Sequence, residues 1–226
     1  MADNRLSFHV AGATPTTFEL TDYQCFAAGY TGRNRAAIDG HIRELAEEGV
    51  PPPARVPFCF PVLPHLVRSR SSSMAVYGDR TSGEIEPVLI VIDGRPRYLG
   101  VGSDHTDREL EKTSIPISKQ LCQKVISAEL WPVESVAEEW DRLELSSSQD
   151  GEPYQRGLLG DLLPLQGLLE TVPPERLGDR VVLLGGTLPV LGGLRCGRRF
   201  EGSLRNPATG ASLSIAYNIT VIDPIT

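Results

Sequence analysis

The sequence predicts a mostly β fold of the α+β class, a mixed sheet structure with two or three peripheral helices. Three observations carry that prediction. Glycine (22) and proline (18) supply 40 of the 226 residues, about 18% against a usual ~12%, which asks for many turns and hence many short strands. Apolar residues mostly alternate with polar ones or run in short blocks, the two patterns of half-buried and buried strands. Only two segments hold apolar residues at clear helical spacing.

In chain order, Leu6, Phe8 and Val10 alternate, and Phe18 and Leu20 follow a Gly/Thr/Pro turn. The clearest helix runs from Asn34 to Glu48, with Ala37, Ile38, Ile42 and Leu45 as one stripe and His41 beside it. Gly49 and Pro51-Pro52-Pro53 stop it. Residues 54–67 are apolar, proline-broken and so extended, and residues 68–74 read as a polar loop. Strands follow at 86–92 and 96–102, joined by the turn Asp93-Gly94, and 115–118 reads as another short strand. A second helix is predicted from Glu134 to Leu143, with Val133, Val136, Ala137 and Trp140 on one face and Pro132 at its start. The Leu- and Gly-rich stretch 155–170 suggests a helix broken near Pro164. Strands at 180–185, 199–204 and 212–222 close the chain, the last two joined by the turn 206–210.

The net charge is −7, which argues against nucleic acid or an anionic membrane as the main partner, since both select basic surfaces. No run approaches the ~18 apolar residues of a membrane span, and the N-terminus shows no secretory pattern. Cys25, Cys59, Cys122 and Cys196 form no CxxC pair and read as reduced thiols. A cytoplasmic location is the expectation.

The most informative stretch is 82–109. Glu84 and Glu86 stand one residue apart before an apolar strand, so their side chains share a face about 7 Å apart. Two carboxylates aimed the same way repel unless a cation or protons lie between them. After a second strand comes Asp104, preceded by Gly100-Val101-Gly102-Ser103, whose small residues allow a close backbone approach. Three carboxylates from neighbouring strands make an all-oxygen site suited to Mg²⁺, Mn²⁺ or Ca²⁺.

Residues 104–109, Asp-His-Thr-Asp-Arg-Glu, resemble the Asp-x-Ser-x-Arg-Asp signature of the fumarylacetoacetate hydrolase superfamily. Glu84-Ile85-Glu86 resembles its Glu-x-Glu pair, Gly186-Thr187-Leu188-Pro189 its Gly-Thr-Pro loop, Pro51 to Val56 its proline-led first core strand, and Phe200 to Ile222 its closing strand pair. In detail the chain is similar to a DUF2848-like branch that contains GVGSDHTDR and GTLP. The resemblance covers about residues 50–222. It implies a mixed β-sandwich roll over 51–226, with 1–50 as N-terminal strands and a helix packed on that core. It further implies one Mg²⁺ or Mn²⁺ on Glu84, Glu86 and Asp104, a homodimer, and a small 2-oxo acid or 1,3-dicarbonyl as substrate, cleaved by C–C hydrolysis or changed by decarboxylation or isomerisation.

Lys119 matches the lysine that follows the superfamily's metal motif and is the candidate for neutralising an oxyanion or protonating a carbanion; Lys124 competes for that role. Gly186 and Thr187 are candidates for binding a substrate carboxylate. His105 is a candidate acid or base, although strand alternation turns it away from Asp104. Arg108 is a substrate-binding candidate that can equally order the carboxylates. Two departures stand out. The interval from Glu86 to Asp104 has room only for a hairpin, and residues 57–75 lack the Glu–His pair with which hydrolytic members activate water, leaving His41 or His65 as substitutes. The rivals are a tailoring enzyme for a larger polyketide-like dicarbonyl, with 158–170 lining an apolar pocket, and a non-catalytic binding roll.

Overall fold

The computed structural model describes residues 4–12, 15–47, 52–53, 55–178 and 180–223; the side chains of His41, Glu44 and Leu45 lie outside the described residues. The chain is mostly β. A curled ten-stranded mixed sheet runs in the order Thr16–Leu20, Leu6–Val10, Glu129–Pro132, Arg95–Asp104, Ile85–Ile92, Arg180–Leu184, Gln24–Gly29 and Phe58–Val62. Lys124–Ile126 adds to the far end of Arg95–Asp104 and carries Val67–Ser69. A second sheet of five strands, in the order Glu152–Leu158, Glu144–Gln149, Arg199–Arg205, Ser212–Ile222 and Ser73–Tyr77, packs on one face of the first.

The hairpin Ile85–Ile92 and Arg95–Asp104 is the spine. Asp93 and Gly94 have φ of 51° and 71°, the two positive angles of the tight turn that suits strand twist. Alternation then sorts its side chains. Ile85, Leu89, Val91, Leu99 and Val101 join Leu145, Phe200, Ile215 and Tyr217 in the core between the sheets. Val88 and Ile90 face the other way, onto Phe8, Leu20, Ile126, Leu130 and Leu184. Burying each such side chain contributes roughly 1.5–3 kcal/mol, so a one-residue slip would forfeit both cores at once.

The N-terminal alternation is present: Leu6, Phe8 and Val10 are buried on Leu6–Val10. The first helix runs Arg35–Glu47, with the Asn34 carboxamide accepting from Ala37 N at 3.1 Å. Of its expected stripe, Ile38 and Ile42 are half-buried and Ala37 is exposed, while the Leu45 side chain, Gly49 and Pro51 fall outside the described residues.

Several expectations are corrected. The predicted loop 68–74 is largely strand, Val67–Ser69 and Ser73–Tyr77. Ile115–Ser118 is a helical turn, because Ser114 caps it through Ile117 N and Pro116 occupies its first turn. The helix expected at 134–143 is two 3₁₀ turns, Val133–Ser135 and Ala137–Arg142, broken where Val136 takes φ −132°. The stretch 155–170 begins as strand Glu152–Leu158, and only Leu165–Leu169 is α-helical. Its Leu159, Leu162, Leu168 and Leu169 are core residues. Among the described residues no helix is long and apolar enough to cross a membrane.

Candidate functional site

Glu86 shares the face of Val88 and Ile90, and Asp104 lies on the same face of the neighbouring strand. The register Glu86↔Gly102 and the bond from Asp104 N to Glu84 O at 3.0 Å set Asp104 directly beside Glu84. One oxygen from each of Glu84, Glu86 and Asp104 lies within 4.8 Å of the others. The small residues ahead of Asp104 serve packing: a Cβ on Gly102 would meet Val88 at 2.7 Å and Ile126 at 2.9 Å. The backbone approach seen there is to core side chains.

Two ammonium groups grip Asp104. Lys119, at the end of the helical turn Ile115–Ser118, donates to Oδ2 at 2.5 Å and lies 3.8 Å from Glu84. Lys124 stands opposite Asp104 across the strand pair. Its Nζ is 2.7 Å from Oδ1 and donates to the His105 carbonyl at 2.5 Å. The contact with Oδ1 is an ion pair without the directionality of a hydrogen bond. Burial alone would raise the Asp104 carboxyl, but the two lysines outweigh it and hold it well below the usual carboxylate range. Lys119 is raised by the reverse balance, its burial outweighed by Asp104 and Glu84.

Among the described residues Glu86 has no ammonium or guanidinium group within ion-pair distance. It is 2% exposed, and among the described residues its hydrogen-bond donor is Gly186 N, at 3.0 Å from Oε2. Burial first, then the charge of Asp104, push its carboxyl well above the ordinary range, and Lys119 and the Gly186 amide only partly oppose this. Glu84, at the more open side, accepts from Arg108 at 3.2 Å. Arg108 also bonds Glu111 at 2.8 Å and Ser82 Oγ at 2.7 Å, so its guanidinium is held between the two glutamates.

The loop after Arg180–Leu184 forms the other wall. Gly186 has φ +85°, open to glycine without strain, and a Cβ there would collide with the Thr31 hydroxyl. The Thr187 hydroxyl is engaged internally, donating to Ile85 O at 2.7 Å and accepting from Gln155 at 2.7 Å.

His105 faces the opposite side of the sheet from Asp104. Its Nδ1 lies 2.9 Å from the Tyr217 hydroxyl and its Nε2 2.9 Å from Thr81 Oγ1. Burial, then the charges of Lys124 and Arg108, pull it down to about 3, so it is neutral and both nitrogens are spoken for. His65 is exposed on the 3₁₀ turn Pro64–Leu66, and the His41 side chain lies outside the described residues. Lys124 was visible in sequence only as a competitor of Lys119, since its place opposite Asp104 depends on a register that composition does not reveal. Gln155, Ser82 and Glu111 carried no signal.

The residues fit a divalent cation. Three carboxylates each offer one oxygen within 4.8 Å of the others, an all-oxygen donor set of the kind that hard divalent cations take. Glu86, a buried carboxylate with no ion-pair partner among the described residues, is what such an ion would neutralise.

The chain belongs to the family described as "Protein of unknown function (DUF2848)", whose profile matches residues 28–217. Solved structures share the fold at low identity. A Burkholderia cenocepacia protein assigned as a fumarylpyruvate hydrolase superposes with TM-score 0.66 at 17% identity, over 99% of this chain and 94% of that one. The apo form of 2-keto-3-deoxy-D-arabinonate dehydratase superposes with TM-score 0.65 at 15% identity, over 94% and 78%. The 5-carboxymethyl-2-hydroxymuconate delta-isomerase of Mycobacterium smegmatis gives TM-score 0.60 at 16% identity, over 94% and 87%. Among curated proteins, no sequence match is found.

Proposed function

We propose that this protein is a divalent-metal-dependent enzyme acting on a small 2-oxo acid or 1,3-dicarbonyl compound, with C–C hydrolysis as the leading reaction and decarboxylation or isomerisation as the second. The observation that carries the reading is Glu86, a buried carboxylate beside Glu84 and Asp104 that has no ion-pair partner among the described residues. Those three residues would hold Mg²⁺ or Mn²⁺, which when bound supplies Lewis-acid stabilisation of a developing enolate. Lys119 holds Asp104 anionic and keeps an ammonium at the edge of the cluster, placed for a substrate oxyanion or for returning a proton to a carbanion. With its hydroxyl committed to Ile85 and Gln155, Thr187 offers substrate its backbone N–H, beside the Gly186 amide already given to Glu86. Names of structural relatives that include a hydrolase, a dehydratase and an isomerase accord with chemistry through a common enolate.

Hydrolysis also needs a group that takes a proton from water. His105 is committed elsewhere, and His65 has no glutamate beside it in sequence. His41 stands on the helix Arg35–Glu47 with Glu44 three positions on, a spacing that puts two positions on one helix face; both side chains lie outside the described residues. Mn²⁺-loaded protein offered a panel of acylpyruvates and 2-oxo acids is expected to turn over at least one. For a hydrolysed substrate, His41→Asn should cut turnover by about 10²–10⁴-fold and leave Mn²⁺ affinity unchanged. Unchanged turnover in His41→Asn would remove His41 as the group that takes the proton, and decarboxylated or isomerised products from the panel would move the reading to the second reaction. A metal-bound protein inert to the whole panel would favour a binding roll.

A further inference from the structure

The strand Ile85–Ile92 is paired on both sides along most of its length and loses one neighbour where the carboxylates begin. Arg180–Leu184 runs antiparallel to it in the register Leu184↔Val88, and Gly185 N continues the ladder to Pro87 O at 2.9 Å. Two more residues in that register would put Thr187 opposite Ile85. The backbone leaves instead, through the positive φ of Gly186, and this departure aims Gly186 N at Glu86. Ile85, between the two glutamates, is thereby deprived of strand partners for its N–H and C=O. Both are met by side chains. Ile85 N donates to Gln155 Oε1 at 2.9 Å, and Ile85 O accepts from the Thr187 hydroxyl at 2.7 Å. Gln155 Nε2 closes the ring with bonds to Thr187 Oγ1 at 2.7 Å and Leu188 O at 2.6 Å, and Ser147 Oγ adds a further donor to Gln155 Oε1 at 3.1 Å. Gln155 comes from the second sheet, on the strand Glu152–Leu158, and is 1% exposed.

We propose that Gln155 is a positioning residue of the carboxylate site: with the Thr187 hydroxyl it stands in for the missing strand beside Ile85, and so sets Glu84 and Glu86 against Asp104 and Gly186. A buried carboxamide whose donor and acceptor ends are both bonded has one orientation, and a peptide gripped at its N–H and its C=O cannot slide or rotate. The glutamates on either side inherit that restraint. The Gln155 carboxamide and the Thr187 hydroxyl touch no reacting atom; they act through Ile85. The consequence for metal affinity rests on the proposed function, whereas the restraint on the peptide does not.

Gln155→Met and Thr187→Val remove the ring's polar groups at near-constant volume; Thr187→Ser keeps the hydroxyl. Ser146→Ala, which loses only a bond to Ser203 in the same sheet, is the control. Hydrogen exchange on metal-free protein should show segments 84–88 and 185–188 exchanging at least tenfold faster in Gln155→Met and Thr187→Val, with Thr187→Ser and Ser146→Ala like wild type. Titration with Mn²⁺ should then give Kd at least tenfold weaker in the first two and within about twofold in the others. Exchange unchanged in those segments overturns the proposal. Faster exchange with unchanged Mn²⁺ affinity also overturns it, by reducing the ring to fold stability. Wild-type protein that binds no Mn²⁺ contradicts the proposed function instead, and the positioning claim then stands or falls on the exchange.

Discussion

Asp104 and Glu86 lie on one sheet face within the same 4.8 Å cluster, both almost wholly buried, yet they are opposite in character. Asp104 has an ammonium group on each oxygen, whereas Glu86 has a backbone amide. The fold neutralises one carboxylate in advance and leaves the other to a proton or a cation. Burial costs a charge about the same at either position, so the difference comes from what the neighbouring strands bring. Lys124 arrives by cross-strand register on one side; the 185–188 loop arrives as bare backbone on the other. A site of this kind is rigid and charge-balanced at one end and waiting for positive charge at the other.

The comparison breaks most severely at Asp104. Asp104→Asn strips two buried lysines of their counterion and should lower unfolding stability by about 3–5 kcal/mol, read as a fall in the urea midpoint of metal-free protein. A loss under 1 kcal/mol would mean that solvent reaches those lysines.

A smaller effect of opposite sign sharpens the contrast. The native carboxyl of Glu86 is raised above its unfolded value of about 4.3. Between those two values the native chain holds a proton that the unfolded chain has lost. The stability contributed by Glu86 is therefore full below about pH 4.3 and is lost as pH rises through the native value. Asp104, shifted down, contributes nothing variable above about pH 4, and His105 is common to both proteins compared. In the presence of a chelator, Glu86→Gln should thus be more stable than wild type by an amount that grows with pH from about 4.3. The gain is about 1.4 kcal/mol for each unit by which the native carboxyl is raised. A difference that stays flat from pH 5 to 8 would show that Glu86 is already neutralised by a partner.

The sequence shows the acidic half of this site more readily than the basic half. Glu84, Glu86 and Asp104 are legible because strand periodicity alone puts i and i+2 on one face and because Asp93-Gly94 declares the hairpin between them. The facing of His105 away from Asp104 follows from the same alternation. Lys124 needed the register of a three-residue strand, Lys124–Ile126, too short to announce itself by pattern. Gln155 lay inside a Leu- and Gly-rich stretch whose composition suggests a helix, while tertiary pairing with Glu144–Gln149 makes it a strand. At Ile115–Ser118 the helix-start signals Ser114 and Pro116 outweigh the two isoleucines that suggest a strand. At 133–142 the buried residues Val133, Val136 and Trp140 suit a 3₁₀ path as well as an α-helix, so the apolar stripe did not discriminate.

The central claim is that Glu86 awaits a divalent cation. Calorimetric titration of chelator-treated wild type and Glu86→Gln with Mn²⁺ near pH 7.5 tests it most directly. The account predicts one site per chain in wild type, proton release on binding, and affinity lowered at least a hundredfold in Glu86→Gln, a variant that remains folded. Equal affinity in the two proteins, or no binding to wild type, would contradict it.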